Sequence, residues 1–169
     1  TKNFSFINFY ERRVRRIIPA LLFVMFCSLP FAYAILIIEP IVDFSKSIDE
    51  ERLYIVNTKT AQIEITSIVS HGKNSGKEYA TDFSNVMESN KSSLGAYLTE
   101  DTYYGRFGYS LRLKGLDKTN SLARERLIVF HSSKIMQTKW SWGCFSLPEK
   151  NTRKIIDMIK GGCLVYAFK

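Results

Sequence analysis

Leu127-Ile128-Val129-Phe130-His131, followed by Ser141-Trp142-Gly143-Cys144-Phe145-Ser146-Leu147-Pro148-Glu149, carries the clearest fold signal in the chain. Four apolar residues in a row, with no polar alternation, have the pattern of a strand covered on both faces. That strand ends at His131, where a buried sheet can aim an imidazole into a cleft. Ser146 and Glu149 stand at capping-box spacing, with Pro148 near the helix start. Ile155, Ile156 and Ile159 continue the segment as a helical apolar stripe, and Gly161-Gly162 supply its stop. Cys163 to Phe168 then reads as a closing strand. This order of elements makes a mainly β domain with one C-terminal helix.

The chemistry of the same stretch centres on Cys144. Cysteine acyl transfer needs a thiolate, a base to make it, and donors for the oxyanion. Gly143 permits a tight backbone turn that frees amide N–H groups to face a substrate carbonyl. A helix starting two residues after Cys144 would set its positive end near the thiol and lower the thiol pKa. His131 is the candidate base. On spacing alone a Gly-Cys pair also fits a small buried cysteine, and His131 also fits a structural role.

Elsewhere in the domain, Arg52 to Asn57 is a β-favouring run and Thr58-Lys59-Thr60 a turn. Glu64 to Val69 is the partner strand, with apolar alternation at Ile63, Ile65 and Ile68. Gly72 to Gly76 reads as a loop, and Gly95 to Thr99 and Tyr109 to Leu113 as further strands. No internal repeat or low-complexity tract interrupts residues 41–169.

The first quarter of the chain is different. Ile17 to Ile38 carries no charge, and about 20 apolar residues suffice for a helix to span a bilayer. Pro19 falls in the first turn, while Pro30 would kink the helix. Arg12, Arg13, Arg15 and Arg16 precede the run and would stay cytoplasmic, placing the residues after Glu39 outside. The sequence therefore predicts a single N-terminal transmembrane helix within residues 1–40, contact with a lipid bilayer through residues 17–38, and a catalytic domain over residues 41–169. The alternative is a cleaved export signal ending at Ala32-Tyr33-Ala34. Half of the formal net charge of +8 lies in this short arm, and elsewhere both signs mix, so nucleic acid is not an expected partner.

Three cysteines are too few for a disulfide framework and lack zinc spacing, so neither metal nor cofactor is expected. A Cys144–Cys163 bridge would silence the nucleophile and is not expected either.

Several motifs in order carry a resemblance. They are Ser70-His71-Gly72-Lys73-Asn74-Ser75-Gly76, Ala80-Thr81-Asp82-Phe83-Ser84-Asn85, Lys91-Ser92-Ser93-Leu94-Gly95, Gly108 to Leu116, and Ser141-Trp142-Gly143-Cys144. Together with the strand-terminal His131 they resemble the L,D-transpeptidase catalytic domain of bacterial cell-wall enzymes, over roughly residues 41–169. The resemblance implies attack on peptidoglycan stem peptides after the third residue, a diamino acid. A Cys144 thioester would form, to be resolved by an amine as a cross-link or by water as a trimmed stem. It implies that His131 moves the protons and that Gly143 or Trp142 assists the Cys144 amide in holding the oxyanion. Ser141 would shape the loop, and His71, Ser92, Ser93, Tyr109 and Arg112 would contact substrate. It also implies a bacterial envelope location outside the cytoplasmic membrane. The chain departs from the family pattern at Ser132 (usually Gly), Lys139-Trp140 (usually Gly-Arg), Phe107 (usually His) and Phe145 (usually small or Pro), and between His131 and Cys144 it is shorter. Separately, Phe9 to Leu21 resembles the arm and helix of integral-membrane sugar O-acyltransferases, which implies ancestry or fusion and not an activity.

Overall fold

The computed structural model describes residues 38–133 and 139–169. Strand β1 (Ile38–Asp43) pairs antiparallel with β2 (Leu53–Asn57), which turns back into β3 (Gln62–Ser67). Asn57 closes that turn, its side-chain oxygen accepting from Lys59 N at 3.1 Å and Thr60 N at 3.2 Å. The register slips between Ile55 and Val56, so Ile55 faces Ile65 while Val56 faces Ile63. Strand β3 stops at Ser67, two residues short of the expected end. The Val69 carbonyl is taken instead by the buried Arg52 guanidinium, at 2.8 and 2.6 Å, and Ile68 is left exposed.

Strands β4 (Gly95–Gly105) and β5 (Gly108–Gly115) form one long hairpin around Arg106-Phe107. The sequence pattern marks only its inner half, because beyond Thr99 the residues leave the core and the apolar alternation fades. Then come β6 (Val129–Ser132), β7 (Phe145–Leu147), helix α1 (Glu149–Ile159) and β8 (Leu164–Phe168). The eight strands make one mixed sheet, ordered β3-β2-β1-β8-β4-β5-β6-β7. Two pairs are parallel, β1 with β8 and β6 with β7.

The structure corrects three expectations. Strand β1 (Ile38–Asp43) is absent from the sequence reading, which assigns Ile38 to the membrane helix and begins the domain at residue 41. Pro40 stands just before the β8 ladder begins at Ile41↔Tyr166, so its missing N–H costs no bond on that side. The sheet thus starts at Ile38, inside the apolar run and ahead of the expected boundary after residue 40. The capping box is not formed. Ser146 belongs to β7, its hydroxyl meets Ser70 Oγ at 2.7 Å, and α1 starts behind Pro148 with no side-chain cap. Thirdly, β7 separates Cys144 from the helix. The rest of the expected membrane helix, the O-acyltransferase-like segment and the signal cleavage motif lie outside the described residues. Among the described residues, no helix is long and apolar enough to cross a membrane.

The core is aromatic where the sheet meets the loops. Phe145 lies 5.0 Å from Phe130, 5.5 Å from Tyr97 and 6.2 Å from Phe44, ring centre to ring centre. Helix α1 adds Ile155, Ile156 and Ile159, all fully buried. The large Phe145, a departure from the family pattern, fills the centre of this cluster.

Candidate active site

His131 reaches the site on β6, and Cys144 immediately before the neighbouring parallel strand β7. The register pairs Phe130 with Phe145 and His131 with Ser146. One step earlier, Cys144 stands beside Val129, which shares a face with His131 because strand side chains alternate. The Val129 N–H points at the sulfur and favours its ionised form.

Gly143 makes the turn into β7 with φ 115°, a conformation that a side chain disfavours. A Cβ there would also lie 2.7 Å from the Lys91 carbonyl oxygen, and one on Gly72 would lie 2.3 Å from that of Asn90. Both glycines therefore let the 84–93 loop press against the nucleophile turn. Ser141, fully buried, donates its hydroxyl to the Cys144 carbonyl at 2.6 Å and accepts the Gly143 N–H at 3.1 Å. These two bonds hold the turn from within. The Gly143 amide is thereby occupied, contrary to its expected oxyanion role. The turn is clasped from outside by the 70–73 segment, with Ser141 N donating to His71 O and Lys73 N to Ser141 O, both at 2.8 Å.

His71 itself is not at a ligand-accessible position. It is completely buried, and its Nδ1 lies 3.0 Å from the Arg52 guanidinium and its Nε2 3.1 Å from the Gly76 carbonyl. A guanidinium only donates and a carbonyl only accepts, so Nδ1 is the acceptor and Nε2 carries the proton. Burial, and then the Arg52 charge, push the His71 pKa down to about 4. Between pH 4 and the unfolded value of 6.5 the unfolded chain binds a proton that the native state refuses. Stability is therefore lost as pH falls through this window, by roughly 3 kcal/mol. Urea titrations at about pH 7 and pH 4 should show this loss in the wild type and a smaller one in His71→Gln. Equal losses would mean that His71 does not carry it.

Ser92 and Ser93, expected at the substrate, are also buried. Ser92 Oγ accepts from Gly72 N at 3.0 Å, and Ser93 Oγ lies 2.7 Å from Tyr97 Oη. They support the turn from beneath. Tyr109 turns away. It shares the face of Leu111 and Phe130, opposite His131, donates to Asp157 at 2.8 Å and lies under Arg153. It lines a cleft of about 300 Å³ against α1, with Phe107, Gly108, Ser132, Glu149, Thr152 and Arg153. Arg112 does share the Val129 face, its guanidinium 2.5 Å from Asp101 and 4.0 Å from the Tyr103 ring centre.

His131 is 1% exposed, with Nδ1 2.8 Å from the Ser132 carbonyl. That carbonyl requires a proton on Nδ1, which leaves Nε2 as the basic nitrogen. Burial holds its pKa below the ordinary value. Phe107 stacks on the ring at 4.4 Å and meets Trp142 edge-on at 6.4 Å, with Arg106 over both. Trp142 is exposed, forming an aromatic rim beside the cysteine. The unusual Lys139-Trp140 pair is tied down by Asp49, 2.7 Å from Lys139 Nζ, and by the Lys77 carbonyl, 2.8 Å from Trp140 Nε1.

Cys144 and Cys163 are both free thiols. Cys144 Sγ donates to the Leu127 carbonyl at 3.4 Å, and no hydrogen bond joins it to His131. Desolvation pushes its pKa up to about 11, against the lowering effects of the Val129 N–H and of Arg126. This corrects the expected helix-lowered pKa: the α1 terminus is separated by β7, and burial dominates. Arg126 and Arg52 escape a reading of the sequence alone. Their one signal is a cation placed directly beside an apolar strand run.

No curated protein matches the chain. Among solved structures, the helical cell shape determining protein Pgp2 of Campylobacter jejuni is similar, with 11% identity, a TM-score of 0.59, and coverage of 81% of this chain and 48% of that one. L,D-transpeptidase 1 of Mycobacterium tuberculosis (11% identity, TM-score 0.49, 79% and 62% covered) is another similar structure. So is an L,D-transpeptidase of Stackebrandtia nassauensis (16%, 0.49, 78% and 55%). The chain spans less than two thirds of the length of each of these proteins. The family model for the L,D-transpeptidase catalytic domain matches residues 37–168. With the mixed sheet, the C-terminal helix, the strand-borne His131 and the adjoining Cys144 in place, the chain belongs to the L,D-transpeptidase catalytic domain family.

Proposed function

We propose that this domain performs cysteine-dependent acyl transfer on peptidoglycan stem peptides. The supporting observation is His131 on β6 with Cys144 leading directly into the adjacent parallel strand β7, the His131 tautomer leaving Nε2 basic. Cys144 Sγ, released from Leu127, gives its proton to Nε2 and attacks the carbonyl carbon of the third stem residue. The Cys144 and Trp142 amides hold the oxyanion, since Gly143 is committed to Ser141. His131 then delivers the proton to the departing D-Ala amine, leaving a thioester. A second stem's amine or water resolves it.

Intact-mass measurement after incubation with a stem tetrapeptide tests the reading. The expected result is a tripeptide adduct mapped to Cys144, with free D-Ala released. A folded protein that gives neither, but sediments with purified wall, would instead be a degenerate, non-catalytic wall-binding domain. The thiol's hydrogen bond to Leu127 favours that second reading. We further propose that residues 17–37 hold the domain at the outer side of the cytoplasmic membrane. Protease added to spheroplasts should then digest the domain, and protection would refute that placement.

A further inference from the structure

Arg126 precedes β6 closely and reaches back under the nucleophile turn. Its guanidinium donates to the Ser84 carbonyl at 2.7 Å and the Lys91 carbonyl at 2.5 Å, and to Ser93 Oγ and Ser89 Oγ at 3.3 Å each. One of its nitrogens lies 3.2 Å from where a Gly143 Cβ would be, so a side chain at 143 would crowd it.

Every one of these acceptors is neutral. Among the described residues no carboxylate pairs with Arg126. The nearby acids are used elsewhere, Asp82 by Lys91 and Glu100 by Arg124. A half-buried cation without a counter-ion is costly, and a neutral donor would tether the loop at less expense. The next residue adds a second unusual feature. Leu127 has φ 56°, rare for a non-glycine residue, and its side chain is 74% exposed, yet this conformation sets its carbonyl on Cys144 Sγ. The thiol thus has an acceptor that suits S–H, while the guanidinium packed against the adjacent Gly143 favours S⁻.

We infer that Arg126 is the fixed counter-cation of Cys144, clamping the 84–93 loop onto the Gly143 turn and stabilising the thiolate when it forms. It is a positioning residue acting through the nucleophile, and the inference rests on Cys144 being that nucleophile. The other ionisable groups packed around the pair do not supply this charge. Tyr97, from β4, has its hydroxyl pKa pushed up to about 12 by burial and remains neutral. Lys91 is drawn to Asp82, and His131, from β6, is held neutral by burial until it takes the thiol proton, so Arg126 is the charge in place beforehand. Arg126 and Cys144 do interact electrostatically, each favouring the other's charged form.

The test needs no peptidoglycan, so it stands or falls apart from the proposed reaction. Iodoacetamide alkylation of the full chain is followed from about pH 6 to 9 and read by mass spectrometry on the Cys144 peptide, apart from Cys27 and Cys163. Arg126→Gln is expected to label about three- to tenfold more slowly than wild type at every pH. A rise of about one unit in thiol pKa cuts the thiolate tenfold, and a more basic sulfur partly compensates. Arg126→Lys should stay within about twofold of wild type, and Ser89→Ala, which removes one tether and no charge, should match it. Loss of packing alone would expose the sulfur and accelerate labelling. Equal or faster labelling in Arg126→Gln therefore overturns the inference. Where Gln does not sustain the fold by thermal melting, Arg126→Met, which keeps an apolar stem, is read in the same way. A lysine variant slowed tenfold overturns it independently of either neutral variant.

Discussion

Cys144→Ala is expected to abolish the acyl-enzyme while leaving the domain folded, with stability changed by no more than about 1 kcal/mol. The side chain is half-buried, and the hydrogen bond it donates is the 3.4 Å contact to the Leu127 carbonyl. Sulfur is a weak donor, so its loss leaves that carbonyl little worse off. The neighbouring structure does not depend on the thiol, because Ser141 binds the Cys144 main chain and Phe145 carries the packing. Intact mass with a stem tetrapeptide and thermal melting check the two halves. An adduct that persists in the variant would mean another residue is acylated. Ser141, fully buried with its hydroxyl committed to the Cys144 carbonyl, is poorly placed to take over.

His131→Gln should lower the acylation rate by roughly 10²- to 10⁴-fold, the usual worth of a positioned base, with substrate KM nearly unchanged. The glutamine amide can still donate to the Ser132 carbonyl and pack under Phe107, so the cleft should survive the change. What it lacks is a basic nitrogen. A thiol pushed up to about 11 cannot ionise unaided near neutral pH, so the dependence on a base is strong. The pH profile separates the roles. In wild type, acylation should fall in acid as His131 protonates, at a pH below the ordinary imidazole value because burial lowers its pKa. That acid limb should be absent from the glutamine variant. If His71→Gln proved the damaging change and His131→Gln silent, the base would be misassigned. The saturation of His71 by Arg52 and Gly76 argues against that outcome.

Loop roles are harder to read from sequence than strands. The Ser70-His71-Gly72 motif has the look of a substrate contact because it is polar and glycine-flanked. Its residues instead form the brace of the nucleophile turn, a function set by Arg52, far upstream, and by Ser141, far downstream. Nothing local marks a buried polar residue that is satisfied at long range from one that faces solvent. The same limit hides the direction of the thiol pKa. A helix shortly after the cysteine suggests an electropositive site, but the three residues of β7 intervene and desolvation decides.

The inventory of elements was written in local pattern. Apolar runs and turn residues specified β2, β3, about half of the β4–β5 hairpin, β6, α1 and β8, since burial of one face imposes its period on the chain wherever a strand or helix forms. Local pattern also singled out His131 and Cys144, through a strand-ending imidazole and a glycine-preceded thiol. The pairing of these elements was settled in three dimensions. Strand β8 is inserted between β1 and β4, and β7 adds parallel to β6, which sets Cys144 beside Val129 on the His131 face. Strand order is fixed by contacts between residues far apart in the chain, whose energies are invisible in any local window. For the same reason Arg126 became recognisable only once the 84–93 loop, the Gly143 turn and the start of β6 had been brought together.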